Sequence, residues 1–323
     1  MSQIPVTILT GFLGSGKTTL LNRILQEQHG RRIAVIENEF GEVGIDNEIL
    51  LQDPAEQIVE MNNGCICCTV RGDLIRILGD LKARRASGEL KFDRVIIETT
   101  GMADPGPVAQ TFFVDDDIAD HYLLDAIITV VDAKHGRQQL DDRREAAEQV
   151  GFADRLLLSK VDLVDEAEVK ALTERLRRIN PRAPVKPVHF GNAPIGEILD
   201  IRGFNLNAVL EIDPTFLDDD DHAHDDEIGS FVFRSKKPFD PARLEDFLSG
   251  IVQVYGADLL RYQGVLFMKG SDRQTVFQGV HMMMGADVGR RWQPGEKPAS
   301  KMVFIGRNLP KETIVKGLEQ CLA

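Results

Sequence analysis

The chain has 323 residues, of which 43% are hydrophobic, and a formal net charge of −13 at pH 7. This length accommodates one large domain and a smaller one, and the apolar content is that of a globular protein, which excludes disorder of the whole chain. The sequence has no run of about 18 apolar residues and leaves no room for a signal peptide before the glycine loop at Gly11, so it predicts a cytoplasmic protein.

The charge is unevenly distributed. From residue 228 onward the sequence has 14 Lys and Arg against 9 Asp and Glu, a balance of +5, so the preceding 227 residues carry −18. This acidic first part argues against nucleic acid as the main ligand, because phosphate backbones favour clustered Lys and Arg. The mildly basic remainder of the chain is compatible with a protein partner or an acidic partner.

The front two thirds alternates apolar runs with helical patterns. Each run is nearly continuous in Val, Ile and Leu, as in strands buried on both faces of a parallel sheet. This alternation predicts a doubly wound α/β domain with a mainly parallel sheet. The predicted strands are residues 4–10, 31–37, 94–100, 123–132 and 153–160, and the predicted helices are 17–28, 70–87, 137–150 and 165–179.

An acidic segment separates this domain from a second unit. Residues 213–227 include eight acidic residues and no basic one, which predicts a flexible linker because like charges repel and bury little. His222 and His224 within it could collect metal ions or could simply be solvated. We expect a P-loop domain over 1–205, the linker over 206–227 and a C-terminal domain over 228–323.

The second unit has more strand patterns than helix patterns, which predicts a small α+β domain. Its predicted strands are residues 231–235, 259–270, 275–286 and 301–308, and its predicted helices are 241–255 and one from 310 onward. The run Met282-Met283-Met284 is interpreted as strand core.

The strongest motif is GFLGSGKT, from Gly11 to Thr18, between a predicted buried strand and a helix. It matches the phosphate-binding loop of P-loop proteins, in which glycines let backbone N–H groups converge on phosphate oxygens. Lys17 would reach the β- and γ-phosphates, and Thr18 would bind Mg²⁺ through its hydroxyl.

A carboxylate at the end of a neighbouring strand is also expected in such a site. The segment VIIETTG ends its apolar run at Glu98, and Gly101 follows where its N–H could meet the γ-phosphate. Asp132, at the end of another apolar run, is a weaker candidate for the same role as Glu98.

The segment LLLSKVD indicates guanine as the base. Asp162 could accept hydrogen bonds from the ring N–H and the amino group of guanine, while Lys160 packs along the ring. Ser159 stands where GTPases usually have Asn, and this departure weakens the prediction that the protein binds GTP rather than ATP.

Three of the four cysteines lie in NGCICC, at Cys65, Cys67 and Cys68. In a reducing compartment, clustered cysteines indicate metal or redox chemistry rather than disulfides. A single C-x-C-C hook offers thiolates to an ion such as Zn²⁺ and leaves positions for other ligands, which suits metal exchange. A redox thiol pair and inert core thiols stay open alternatives, and Cys321 is interpreted as a passive thiol.

An acidic loop is predicted directly after the second strand. Glu37, Glu39 and Glu42 could complete the metal site or position the attacking water, and a solvated acidic loop is the alternative.

With GFLGSGKTT, ENEFGEVGID, NGCICC, VIIETTGMADPGPV and SKVD in this order, the chain resembles the CobW-like family of P-loop GTPases over its whole length, most closely the zinc-associated YjiA-type branch. The resemblance implies a GTPase that binds Zn²⁺, Co²⁺ or Ni²⁺ through C-x-C-C and couples the nucleotide to metal delivery or homeostasis. It assigns Gly11, Gly14, Ser15, Gly16, Lys17, Thr18 and Thr19 to the phosphate loop, Glu98 and Gly101 to the second motif, Ser159, Lys160 and Asp162 to the base site, and Cys65, Cys67 and Cys68 to the metal.

These patterns together yield one main hypothesis and two rivals. GTP with Mg²⁺ would order the loop at Glu37, Glu39 and Glu42 around the metal, and hydrolysis would release it. A client metalloprotein, docked through the C-terminal domain, is the expected partner, and a homodimer stays open. The rivals are a small-molecule kinase and a nucleotide-gated scaffold without enzyme activity.

Overall fold

The structure is a computed structural model that describes residues 3–27, 30–37, 58–59, 70–203, 227–293 and 295–323. The chain divides into two compact units, one of residues 1–175 and 183–202 and the other of residues 176–182 and 203–323. In the described ranges, no helix combines the length and the apolar character needed to cross a membrane.

The first unit contains a parallel sheet, as predicted. Its strands are β1 (Ile4–Thr10), β2 (Ile33–Glu37), β3 (Ile58–Val59), β4 (Arg94–Glu98), β5 (Tyr122–Asp132), β6 (Arg155–Ser159) and β7 (Val185–Pro187). They are ordered β3-β2-β4-β1-β5-β6-β7, and every adjacent pair is parallel. The helices between residues 17 and 179 are α1 (Lys17–Gln26), α2 (Val70–Ala86), α3 (Pro105–Val114), α4 (Asp116–His121), α5 (Gly136–Asp142), α6 (Arg144–Phe152) and α7 (Glu166–Ile179).

The apolar runs explain this arrangement. All five residues of β4 are buried, and α1 packs its buried face, Leu20, Leu21 and Ile24, into the same core as Val35 of β2. Each fully buried Leu or Ile contributes about 2 kcal/mol through the hydrophobic effect. Because parallel strands end at a common edge, the polar residues that follow β1, β4, β5 and β6 are brought close together.

The structure corrects the single helix predicted over residues 137–150. Arg143 has extended backbone angles (φ −135°, ψ 113°) and separates α5 from α6. After this break, every residue of α6 from Ala146 to Phe152 is buried. The sequence pattern therefore predicted helix in this region, but it did not predict the break at Arg143 between α5 and α6.

Two helices and two short strands were not predicted. Helix α3 begins at Pro105 directly after Asp104, whose side chain accepts a hydrogen bond of 2.8 Å from the N–H of Gly106. An Asp before a Pro is a helix start signal that the sequence did contain. Strands β3 and β7 have only two and three residues, too few for a periodic pattern.

The second unit has an antiparallel sheet and two helices packed on it. Its elements are β8 (Ile228–Ser235), α8 (Pro241–Tyr255), β9 (Leu259–Phe267), β10 (Arg273–Val280), β11 (Met283–Arg291), β12 (Ser300–Arg307) and α9 (Lys311–Gln320). The sheet order is β11-β10-β9-β12-β8. Its core contains Phe231, Phe304 and Tyr262 from the sheet together with Leu248 of α8 and Leu318 of α9. The predicted α+β class is confirmed.

The methionine run is not strand core, contrary to our interpretation. The predicted strand over residues 275–286 is a hairpin, with His281 and Met282 in the turn between β10 and β11. Met282, in this turn, is 60% exposed, and Met284 is 37% exposed on the edge strand β11, most of whose side chains lie at the surface. The acidic linker lies almost entirely in residues 204–226, outside the described residues.

Candidate nucleotide site

The phosphate loop joins β1 to α1, where the motif predicted it. Gly11, Gly14 and Gly16 all have positive φ angles of 143°, 73° and 98°, which glycine adopts without steric cost. At Gly11 an added Cβ would lie 2.3 Å from the carbonyl oxygen of Val130, so a side chain cannot be accommodated there. The loop leads directly into α1, whose first N–H groups lack acceptors within the helix and are available to an anion.

Lys17 folds over this loop. Its Nζ donates a hydrogen bond of 2.9 Å to the carbonyl oxygen of Gly11, and its side chain is largely buried. Burial lowers the pKa of the Lys17 ammonium, and the nearby Glu98 carboxylate offsets part of this shift. Phosphate oxygens placed here would act in the same direction as Glu98 and raise the pKa of Lys17, since anions stabilise the charged form.

Thr18 and Glu98 meet directly. Thr18 Oγ1 donates a hydrogen bond of 3.0 Å to Glu98 Oε1, although the residues are 80 positions apart. Glu98 is the last residue of β4 and is only 8% exposed. Two hard oxygen ligands thus lie side by side next to the phosphate loop, which is the ligand chemistry that Mg²⁺ prefers.

The segment after Glu98 rests against the phosphate loop. Thr99 donates its backbone N–H to Leu9 O (2.9 Å) of β1 and its hydroxyl to Thr10 Oγ1 (2.8 Å). A Cβ on Gly101 would lie 2.6 Å from the backbone N of Leu13, so only glycine permits this close approach. Gly101 is therefore next to the phosphate loop, where the sequence placed it.

Gln149 of α6, which was not among the predicted site residues, holds the same segment. Its Nε2 donates to the carbonyl oxygens of Gly101 (3.2 Å) and Ala103 (3.0 Å), and the residue is 1% exposed. Its Oε1 is buried without a hydrogen-bond partner among the described residues. Gln149 and Phe12 of the phosphate loop also line one small pocket. A buried Gln in the otherwise apolar face of a helix is the signal that could have identified it.

The predicted base motif lies on the other side of the phosphate loop. Ser159 Oγ donates to the carbonyl oxygen of Ser15 (2.6 Å), and Lys160 Nζ donates to that of Gly14 (2.7 Å). Lys160 has a left-handed backbone with φ 56°. Asp162 lies in the short 3-10 turn Val161–Leu163 and is exposed, available to a ligand.

Asp132, the weaker candidate for the role of Glu98, hydrogen-bonds to Lys160 of the predicted base motif. Its Oδ2 accepts hydrogen bonds from Lys160 Nζ (2.7 Å) and His135 Nδ1 (3.0 Å). The register explains the pairing, since Asp132 lies opposite Ser159 where β5 and β6 end. Asp132 therefore orients Lys160.

Most of the predicted transition-metal ligands lie in segments that the structure does not describe. Glu39, Glu42, Cys65, Cys67 and Cys68 lie outside the described residues, as do His222 and His224. The backbone of Glu37 ends β2, directly opposite Glu98 of β4, and its side chain is not described. The part of the chain that the structure describes contains no group of three or more His, Cys, Asp or Glu that could hold a metal ion.

Comparisons with known proteins agree with both units. The model of the CobW/HypB/UreG nucleotide-binding domain matches residues 5–187, and that of the cobalamin synthesis protein cobW C-terminal domain matches residues 228–322. The chain is 46% identical over 315 residues to the zinc chaperone YjiA of Escherichia coli, covering 97% of each chain. It is 31% identical to a zinc-regulated GTPase metalloprotein activator of Dictyostelium discoideum, covering 99% of this chain and 80% of that protein.

A solved structure extends the similarity to three dimensions. The Zn(II)-bound YjiA GTPase from E. coli matches over 100% of both chains with a TM-score of 0.83 and 40% identity. Together with the phosphate loop and the Thr18–Glu98 pair, these matches establish that the chain belongs to the CobW/HypB/UreG family of nucleotide-binding proteins and carries a cobW C-terminal domain.

Proposed function

We propose that this chain is a GTP-hydrolysing zinc chaperone whose nucleotide state controls how tightly a metal ion is held. The names of its relatives, zinc chaperone and zinc-regulated GTPase metalloprotein activator, support this function. The single observation that carries the hydrolase half is the 3.0 Å hydrogen bond between Thr18 and Glu98, because it unites the phosphate loop with the carboxylate of the second motif.

The residues act on GTP as follows. Lys17 leaves the carbonyl oxygen of Gly11 and binds the β- and γ-phosphates, while the N–H groups from Gly14 to Thr19 hold the remaining phosphate oxygens. Thr18 and Glu98 would hold Mg²⁺, which would neutralise phosphate charge when bound. The N–H of Gly101 contacts the γ-phosphate.

The guanine base is held by the loop after β6, which contains Ser159, Lys160 and Asp162. Lys160, fixed by Gly14 and Asp132, packs its stem along the guanine ring, and Asp162 accepts hydrogen bonds from the ring N–H and the amino group. Ser159 positions this loop on the carbonyl oxygen of Ser15.

The metal ion that the protein binds and delivers is Zn²⁺, with Co²⁺ or Ni²⁺ as alternatives. Cys65, Cys67 and Cys68 supply thiolates, with Glu37 or Glu42 as a further ligand, and Glu39 orients the attacking water. The register of β2 with β4 supports a link between the two sites, since it places the Glu37 backbone opposite Glu98. Loss of the γ-phosphate would release the loop after Glu37 and loosen the metal.

The wider setting is part of the same proposal. The division into a GTPase domain over 1–205, a linker over 206–227 and a C-terminal domain over 228–323 is supported by family matches that end at residue 187 and resume at residue 228. The C-terminal domain would dock a client metalloprotein in the cytoplasm, and the basic balance of that domain favours an acidic client surface.

The experiment is an anaerobic Zn²⁺ titration against a chromophoric chelator, with hydrolysis followed in parallel. The Zn²⁺ affinity should differ by about tenfold or more between the protein with a non-hydrolysable GTP analogue and the protein with GDP. Changing Cys67→Ala and Cys68→Ala together should abolish this difference, whereas Cys321→Ala, the thiol control, should preserve it. Equal Zn²⁺ affinity in the nucleotide-free, GTP-bound and GDP-bound proteins would refute the coupling, and phosphate found on any acceptor other than water would indicate a kinase.

A further inference from the structure

Phe190 is exposed in a way that the fold itself does not explain. Its side chain is 82% exposed, the highest value among the large apolar side chains of the described residues. It follows β7 in a tight turn closed by a hydrogen bond of 2.8 Å from Asn192 N–H to His189 O. Folding therefore gains almost no hydrophobic free energy from this ring.

The backbone at Phe190 is also unfavourable. Phe190 and Gly191 have φ angles of 49° and 71°, so both central residues of the turn are left-handed. Asn, Asp or Gly adopt this conformation at the first position at low cost, whereas a bulky side chain there is an outlier. Residues held in such conformations concentrate at sites where a ligand makes use of them.

The turn lies next to the candidate nucleotide site. Val188 N–H donates to Leu158 O at 2.9 Å, which ties the start of the turn to β6 just before Ser159 and Lys160. On the other side, a Cβ on Gly191 would lie 2.9 Å from the carbonyl oxygen of Thr19, so the turn touches the first turn of α1. The Phe190 turn thus adjoins both the loop proposed to hold the base and the helix that follows the phosphate loop.

We propose that Phe190 packs its ring against the guanine base of the bound nucleotide and supplies apolar contact that the base loop alone does not. This inference rests on the proposed function, because it requires a nucleotide in the site. Stacking between an aromatic side chain and a base tolerates any base, so Phe190 sets affinity, whereas Asp162 sets the preference for guanine.

The test compares Phe190→Ala and Phe190→Asn with the wild-type full-length protein by calorimetric titration of GDP, of GTP with Mg²⁺, and of tripolyphosphate, which has no base. Both variants should bind GDP and GTP about tenfold more weakly and tripolyphosphate within about twofold of wild type. KM for GTP should rise by a similar factor while kcat changes by less than about twofold. Phe190→Asn should also raise the melting temperature of the nucleotide-free protein, since Asn tolerates the left-handed backbone.

Two further variants separate the possible failures. Val254→Ala, which alters a 71% exposed side chain on α8, should change none of these quantities. Asp162→Ala should reduce the preference of the protein for GDP over ADP.

GDP affinity within twofold of wild type in both Phe190 variants would overturn the inference and leave the proposed function intact. Equal loss of GDP and tripolyphosphate would also overturn it, since the effect would then reach the nucleotide through the phosphate loop. A wild-type protein that binds ADP as tightly as GDP would instead contradict the guanine assignment of the proposed function.

Discussion

Thr18 Oγ1 donates a hydrogen bond to Glu98 Oε1 at 3.0 Å, and Glu98 is also the anion that stabilises the buried Lys17 ammonium. The end of β4 therefore hydrogen-bonds to Thr18 and acts electrostatically on Lys17, the two side chains with which the phosphate loop would bind metal and phosphate. The parallel pairing of Leu9 in β1 with Glu98 in β4 produces this arrangement.

Glu98→Gln should lower kcat for GTP hydrolysis by about 100-fold or more while largely preserving the fold. Gln keeps the shape of Glu and an oxygen that can accept the Thr18 hydrogen bond, but it removes the charge that would hold Mg²⁺. Steady-state hydrolysis across a range of Mg²⁺ concentrations measures the effect. Glu312→Gln, at an exposed position on α9, is the matched control. Unchanged kcat at saturating Mg²⁺ would contradict the assignment.

Gln149→Met should weaken binding of a non-hydrolysable GTP analogue by about tenfold and binding of GDP by less than about twofold. The change removes two hydrogen bonds, each worth about 1 kcal/mol, to the carbonyl oxygens of Gly101 and Ala103, which lie where the γ-phosphate would be sensed. GDP lacks that phosphate. Loss of the buried Gln149 Oε1, which has no partner in the described part of the chain, should offset part of the folding cost of losing these two hydrogen bonds.

Calorimetric titration of the two nucleotides checks this prediction. Gln138→Met, at an exposed position on α5, controls for the change of side chain. Equal weakening of GTP and GDP binding would assign Gln149 a structural role only.

Asp132→Asn should weaken GDP and GTP binding alike, each by several-fold. Asn keeps the shape of the side chain but not the charge that holds Lys160 Nζ at 2.7 Å, so Lys160 would lose its fixed position beside the base. Fluorescence titration with labelled GDP measures the affinity. A variant that lost GTP hydrolysis but kept its nucleotide affinity would instead place Asp132 in the metal-binding role of Glu98.

The same substitution should alter the dependence of stability on pH. Burial raises the pKa of the Asp132 carboxyl, but hydrogen bonds from Lys160 and His135 outweigh burial, so the net pKa is lowered in the folded protein. Because the folded-state pKa is the lower one, this stabilisation is complete above the unfolded-state pKa of about 3.9 and is lost as pH falls through the folded-state value. Urea unfolding should therefore show that Asp132→Asn is less stable than wild type at pH 7, with a smaller difference near pH 3.

The outcome at individual residues shows what the sequence could predict. Lys17, Thr18 and Gly101 belong to short motifs whose spacing is fixed by local geometry, so their place beside the phosphate loop was predicted. The partnerships of Asp132 with Lys160 and of Gln149 with Gly101 join residues 28 and 48 positions apart. Such pairs depend on which strand ends lie side by side and on the break between α5 and α6, and neither is encoded in a local pattern.

The exposed methionines show the same limit in the second unit. An apolar run predicts burial, but Met282 lies in the turn before β11, and Met284 lies on β11, an edge strand whose side chains are mostly exposed. Strand order is a property of the whole fold, and the sequence pattern of β11 alone does not specify it.

Asp125→Ala should lower the free energy of unfolding by about 3 to 5 kcal/mol. Asp125 Oδ2 accepts a hydrogen bond of 2.7 Å from the buried guanidinium of Arg94, and its oxygens also accept the backbone N–H groups of Asp200 (2.9 Å) and Arg202 (2.8 Å). Removing the carboxylate takes one counter-charge away from the buried Arg94 guanidinium. It also removes the acceptor of two backbone N–H groups, those of Asp200 and Arg202, whose backbones are left-handed.

Denaturant unfolding followed by circular dichroism measures this cost. Combining Asp125→Leu with Arg94→Met should recover part of the stability, because the uncompensated charge is gone, but not all of it, because the N–H groups of Asp200 and Arg202 still lack their acceptor. Arg32→Met, which breaks the exposed pair of Arg32 with Asp93, should have a much smaller effect. If Asp125→Ala proved no more costly than Arg32→Met, the buried pair would contribute nothing beyond a surface ion pair, and the segment from Asp200 to Arg202 would have to be held to the sheet by other contacts.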